Sequence, residues 1–266
     1  MDITPEFIKY VFSKSKIDPK YINVLTSPES LNIFRVAFTS RTVDPENNYE
    51  LYEFIGDLEV NNAIVWYFYE AFPQLRCTKS VNILNRLKIV HVSRESFSGI
   101  SENLGFLPYI KYDKNNENEY TKKTTEGLLE DVFEAFIGAT KIILTDAFEM
   151  VGVASQIVFN FISPIFDAKN ISFAPEDLYD AKTRLKELFD NRTDTNIIFM
   201  TFGVPKYEDA PSGTETKLYF TKNRNLVFYG KGTSKQQSQK IASQQAISYF
   251  DKEGYKTEKR FNLLCA

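Results

Sequence analysis

The chain has 266 residues, 43% of them hydrophobic, enough for one large core or two small ones. Its net charge is −3, but 15 Lys and Arg stand against 10 Asp and Glu from Asp180 onward, so an acidic front is joined to a basic back of the kind that meets polyanions. Two cysteines (Cys77, Cys265) and one histidine (His91) are too few and too scattered for a disulfide framework or a zinc-ligand pattern, and His91 reads as structural, at or beside a helix end.

The start, Met1 to Glu6, is acidic and has neither the basic nor the apolar region of a secretory leader. No run of about 20 apolar residues occurs, so the expectation is an intracellular protein, cytoplasmic or nuclear, with no membrane span. Residues 1–30, punctuated by Pro5, Pro19 and Pro28, suggest one or two helices, and residues 31–40 are helical in period. Thr42 to Asn48 is a polar loop. A helix then runs from about Tyr49 to Phe72 and stops at Pro73. It opens with Glu50-Leu51-Tyr52-Glu53-Phe54-Ile55-Gly56-Asp57. Its three carboxylates at i, i+3 and i+7 share one face, with Phe54 and Ile55 on the other, core-facing side. Its second half, Ala63 to Tyr69, is apolar on nearly every side, as burial in a core or at a dimer interface requires.

Residues 78–106 read as helical, with Leu84, Leu87, Ile89 and Val90 turned inward. Residues 109–123 are a polar surface loop. The helix from Glu126 to about Leu144 is nearly all apolar, yet places Asp131 and Glu134 at i, i+3; Glu130 points elsewhere, outward. Another apolar helix spans about 146–162 and breaks at Ser163-Pro164. The front of the chain, 1–170, is therefore all-α, and 171–178 reads as a linker. From 179 to 251 the pattern is a short helix (181–189), three strand-like runs (197–202, 216–221, 226–230) and a helix (236–250) entered through Gly230-Lys231-Gly232-Thr233-Ser234-Lys235. Residues 252–266 are a tail. The fold class is thus α+β in two domains.

Acid pairs on two apolar helices admit two readings. Each is an ordinary solvated face, or the two meet, repel and raise one another's pKa values unless something compensates. A divalent metal with oxygen ligands compensates, and Mg²⁺ in addition accepts phosphate oxygens from a substrate. The residue types therefore suggest metal-dependent phosphodiester chemistry.

With these residues in view, the sequence resembles the ribonuclease III family. Glu50 to Asp57 is similar to the family signature E-x-x-E-F-L-G-D, and Asp131 to Ala139 to its partner D-x-x-E-A-x-I-G-A. Ala37-Phe38-Thr39-Ser40-Arg41 and Asn47-Asn48 match the lead-in, with Ser40 where the family usually has His. The resemblance implies an endonuclease of double-stranded RNA that works as a homodimer through its catalytic domain and leaves 5′-phosphate ends and a short 3′ overhang. It implies Mg²⁺, with Mn²⁺ as a substitute, on Glu53, Asp57, Asp131 and Glu134, and Glu50 as an orienting acid beside them. Leu58 and Glu59 depart from the signature, but Glu59 lies about 200° around the helix from Asp57 and off the site; Asn61, one turn beyond Asp57, could bond a metal-held water or serve the structure. The back of the chain resembles a double-stranded RNA-binding domain of α-β-β-β-α order, which implies Lys182, Thr183, Lys231, Ser234, Lys235, Gln236, Gln239 and Lys240 as the RNA-contacting set. It departs at Gln236 and Gln239, where the family has lysines, and at Gly213-Thr214-Glu215-Thr216, which lacks the usual Pro and His. Fewer phosphate contacts mean weaker, less salt-dependent binding. The alternative is a protein that sequesters duplex RNA or scaffolds a ribonucleoprotein, with vestigial catalysis.

Overall fold

The computed structural model describes residues 1–15, 17–113, 123–190 and 197–255; residues 114–122 of the loop expected over 109–123, and residues 256–266 of the tail expected over 252–266, lie outside them. The described residues fall into two units, Met1–Ile171 and those from Ser172 to Tyr255. In the first, the three early prolines each begin a helix: α1 (Pro5–Phe12), α2 (Pro19–Leu25) and α3 (Pro28–Ala37). Thr4, Asp18 and Ser27 cap them by accepting from the backbone N–H of Phe7, Lys20 and Ser30, the expected place for a proline being just inside such a cap. The signature helix is α4 (Glu50–Ala71). The stretch expected as one helix over 78–106 divides into α5 (Val81–His91) and α6 (Arg94–Asn103), because Ser93 turns extended and caps α6 at Ser96. Its inward face also differs from expectation: Ile83 and Leu87 are buried, while Ile89 is exposed.

Helices α7 (Lys123–Phe148) and α8 (Val151–Asp167) complete the unit. They separate at Glu149, which takes a positive φ of 53°. Helix α8 does not break at Pro164 but runs through it to Asp167. Helix α7 is the axis: Leu128, Leu129, Val132, Phe133, Phe136, Ile137 and Leu144 are all buried, wrapped by α2, α3, α4, α6 and α8. Phe136 alone meets Phe12, Phe34, Phe106 and Phe161. A helix apolar all round is one that its neighbours cover all round.

In the second unit, Pro175–Leu178 of the expected linker is a short helix, α9, with Leu178 buried. Helices α10 (Ala181–Asp190) and α11 (Ile197–Phe202) follow, then β1 (Pro205–Asp209), β2 (Glu215–Phe220), β3 (Val227–Lys231) and α12 (Lys235–Lys252). The expected first strand, 197–202, is thus corrected to a helix. Ile198 and Phe202, four residues apart, are its buried face, and Gly203 ends it at φ +76°. The true first strand is the more polar Pro205–Asp209. The sheet is an antiparallel meander, with Tyr207 opposite Leu218 and Leu218 opposite Phe228. Leu185, Phe189, Phe202, Leu218, Phe220, Ala246 and Phe250 fill the core between sheet and helices. Gly230 lets α12 touch β3, since a Cβ there would lie 1.8 Å from the Ser238 carbonyl oxygen.

Candidate active site

The site begins with two glycines. A Cβ on Gly56 would lie 1.7 Å from the Glu134 carbonyl oxygen, and one on Gly138 would lie 1.9 Å from that of Tyr52. Helices α4 and α7 therefore cross backbone against backbone, which only glycine permits at both positions. The crossing puts the acids of the two helices within reach of one another. Glu53 feels the charges of Asp131, Glu50, Glu130 and Asp57, and Glu134 those of Asp57, Glu130, Glu53 and Asp131.

Burial, then these like charges, push the Glu53 carboxyl up to about 7 and that of Glu134 up to about 9. Glu134 is only 9% exposed, and every influence on it disfavours ionisation. Asp131 is also raised, chiefly by burial, but less freely. Tyr49, itself buried, donates from its hydroxyl to Asp131 Oδ2 at 3.1 Å and so favours the charged form. Asp57 is held by Asn61, whose Nδ2 donates to Asp57 Oδ1 at 2.6 Å and to the Asp57 carbonyl at 2.7 Å. At the rim Glu50 pairs with Arg41 at 3.1 Å. Glu130 is not the outward group expected: its side chain is 20% exposed and pairs with Arg94 at 2.5 Å. Glu59 turns away, as expected, to pair with Lys141 at 3.1 Å.

Sequence reasoning misses Tyr49 and Arg94. Tyr49 stands immediately before the signature, a position from which a side chain reaches the neighbouring helix, and that is the available signal. Arg94 carries none. One expectation for α4 is overturned. Phe54 does not face the core: Leu51, Phe54 and Leu58 are 62%, 68% and 61% exposed and form an apolar stripe at i, i+3, i+7. Further along, Ala63, Ile64, Tyr67 and Phe68 are buried, whereas Trp66 and Tyr69 are exposed.

Among the described residues, no three His, Cys, Asp or Glu side chains converge into a ready-made metal cage. The donor set still fits a hard divalent cation. It is all oxygen, and its most buried member is surrounded by negative charge alone.

In the second unit, Lys182, Gln239 and Lys235 lie in one network: Lys182 Nζ donates to Gln239 Oε1 at 2.7 Å, and Gln239 Nε2 and Lys235 Nζ both bond Asp209. Lys231 pairs with Glu215 at 3.0 Å. Thr183 bonds Asp180, and Ser234 caps α12 at Gln237. Gln236 and Lys240 are exposed, whereas Gln239 is buried.

A helical unit with an acid-lined, glycine-tight crossing, followed by a three-stranded sheet backed by helices, defines a two-unit nuclease class. Residues 50–142 match the family model described as Ribonuclease III domain. Two viral proteins carry the name "Putative ribonuclease 3". That of Invertebrate iridescent virus 6 is 37% identical over 261 residues, covering 91% of this chain and 85% of its own. That of Frog virus 3 is 34% identical, covering 90% and 61%. Ribonuclease 3 of Limosilactobacillus reuteri is 32% identical over 199 residues, 75% of this chain and 78% of its own. A solved nuclease domain of ribonuclease III from Campylobacter jejuni, 21% identical, covers 60% of this chain and 99% of its own at a TM-score of 0.45. The chain belongs to the ribonuclease III family and is an endonuclease of that family. No described helix is long and apolar enough to cross a membrane.

Proposed function

We propose that this chain is an intracellular, Mg²⁺-dependent endoribonuclease that cuts double-stranded RNA to products with a 5′ phosphate and a short 3′ overhang. The observation that carries the reading is the acidic crossing. Crowding acids where two helices touch pushes the carboxyls of Glu53, Asp131 and Glu134 upward and stabilises nothing in the apoprotein. These four side chains would hold the cation, directly or through its waters, with Mn²⁺ able to take its place. A bound Mg²⁺ supplies an activated water and neutralises charge at the phosphodiester. Tyr49 fixes the rotamer of Asp131 and Asn61 that of Asp57, so two donors arrive pre-oriented. Glu50, tied to Arg41, orients at the rim.

The exposed stripe of Leu51, Phe54 and Leu58 begins on the helix that carries half the acids, and it is the face through which two copies would pair. Pairing there sets two acidic centres side by side, one for each strand of a duplex. The C-terminal unit, 179–251 in the sequence reading, would add phosphate contacts through Lys182, Thr183, Lys231, Ser234, Lys235, Gln236 and Lys240, with buried Gln239 holding its neighbours in place.

The test is cleavage of a long, perfectly paired RNA by purified protein with Mg²⁺, with Ca²⁺, and with Glu134→Gln. Cutting that requires both Mg²⁺ and Glu134 is expected. Duplex that binds but stays uncut with Mg²⁺ would replace this reading with sequestration.

A further inference from the structure

Asp209, the last residue of β1, is held from several sides. It accepts from Thr216 Oγ1 at 2.7 Å, from Gln239 Nε2 at 2.9 and 3.0 Å, and from Lys235 Nζ at 2.8 Å. Thr216 and Gln239 are 2% and 6% exposed, so their bonds are internal and fix the carboxylate in place. Lys235 differs, since its side chain is 63% exposed against 17% for Asp209. The opposite oxygen of the Gln239 amide receives Lys182, whose ammonium also stands 5.0 Å from the Tyr207 ring centre. An ammonium, an amide N–H₂ and a hydroxyl converging on one carboxylate are the donors that would bind a phosphate oxygen, met here by an acid of the same chain.

We propose that Asp209 is an internal phosphate surrogate: Lys235 reaches an RNA phosphate only by leaving it, and Asp209 thereby sets how weakly the C-terminal unit grips duplex. The inference rests on the duplex-RNA reading and deepens it. A lysine already neutralised by an internal acid gains little by exchanging that partner for a phosphate, because counterion release comes from charges newly paired with the polyanion. Leaving Asp209 also costs more than leaving Glu215. Lys231 and Glu215 are both largely exposed and part cheaply, whereas Asp209 is left mostly covered with its strongest partner gone. The C-terminal unit then engages only where several contacts act together, and the choice of substrate falls to the acidic crossing of the first unit.

The experiment measures binding of the full-length protein to a short RNA duplex by fluorescence anisotropy, without divalent metal, across a salt series. Asp209→Asn keeps acceptors for Thr216 and Gln239 and removes the charge that holds Lys235. It is expected to bind several-fold more tightly and to steepen the slope of log K against log salt by about one ion. Asp209→Ser is measured beside it, in case the Asn variant melts early. Lys235→Ala should cost more affinity in the Asp209→Asn background than in the wild type. Equal or weaker binding by both charge-removing variants, with an unchanged slope and equal costs for Lys235→Ala, would overturn the proposal while leaving the nuclease reading intact. A wild type and variants that all fail to bind duplex would instead overturn the duplex-RNA reading, and this inference with it.

Discussion

Replacing Glu134 by Gln should make the metal-free protein more stable, the reverse of what removing a buried, ordinary ion-pair partner does. The folded carboxyl titrates at about 9 rather than near its usual 4.5, because burial and then Asp57, Glu130, Glu53 and Asp131 oppose its charge. Between those two pH values the folded state keeps a proton that the unfolded state has lost, so stability falls as pH rises through the window, by up to about 1.4 kcal/mol per pH unit. At about pH 7.5 the full penalty would be ~4 kcal/mol; water reaching the site reduces it, and about 2 kcal/mol is the working figure. Glu53 adds to the same slope up to about 7. Glu134→Gln keeps the shape of the side chain and carries no charge, so with chelator its transition should lie higher by on the order of 5 °C. Mg²⁺ should raise the wild-type transition and barely move that of the variant. Scanning calorimetry from about pH 5 to 9, with chelator and with millimolar Mg²⁺, measures all of this. A variant that melts below the wild type in chelator, or a wild-type stability that is flat across the range, would refute the argument.

Three other perturbations follow from the same geometry. Tyr49→Phe removes the 3.1 Å bond to Asp131 and should cost about 1 kcal/mol of stability. It should also shift the Mg²⁺ dependence of the melting temperature to higher concentration; an unshifted titration would assign Tyr49 to packing alone. Gly138→Ala places a Cβ 1.9 Å from the Tyr52 carbonyl, so the helices must part, with a loss above about 3 kcal/mol or no soluble protein. A folded, active Ala variant would contradict the backbone crossing. Phe54→Glu, at a side chain 68% exposed, should leave monomer stability within about 0.5 kcal/mol yet abolish dimers in light scattering. A persistent dimer would move the interface elsewhere.

Much of the acidic crossing is legible in the sequence because its parts are local: carboxylates at i, i+3 and i+7 share a helix face whatever surrounds the helix. What covers a face is not local. Phe54 reads as a core residue because it is large and apolar, but α7 meets α4 at Gly56, about 160° around the helix from Phe54, and Phe54 is left outside. The apolar run at 197–202 reads as a strand since a short apolar run has no period of its own; burial of Ile198 and Phe202 one turn apart decides for a helix. Tyr49–Asp131 and Asp209–Gln239 join residues 82 and 30 positions apart, and no spacing rule reaches that far.

The two glycines and the acids form one device. Where backbones touch, no side chain can occupy the crossing, so the acids flanking Gly56 and preceding Gly138 are the nearest groups able to project beside it. Their mutual repulsion is a cost that the rest of the unit must offset. Helix α7 is suited to this because it is buried through most of Leu128 to Leu144, and Phe133, Phe136 and Ile137 lie beside Glu134 in sequence. Each such large side chain contributes about 1.5–3 kcal/mol of burial, more together than the repulsion removes. An acidic centre on a peripheral helix would lack that reserve and would splay open without its cation. Set on the central helix, the crossing stays assembled in the apoprotein, with Tyr49 and Asn61 already holding Asp131 and Asp57, so that a cation would have only the acid side chains left to gather.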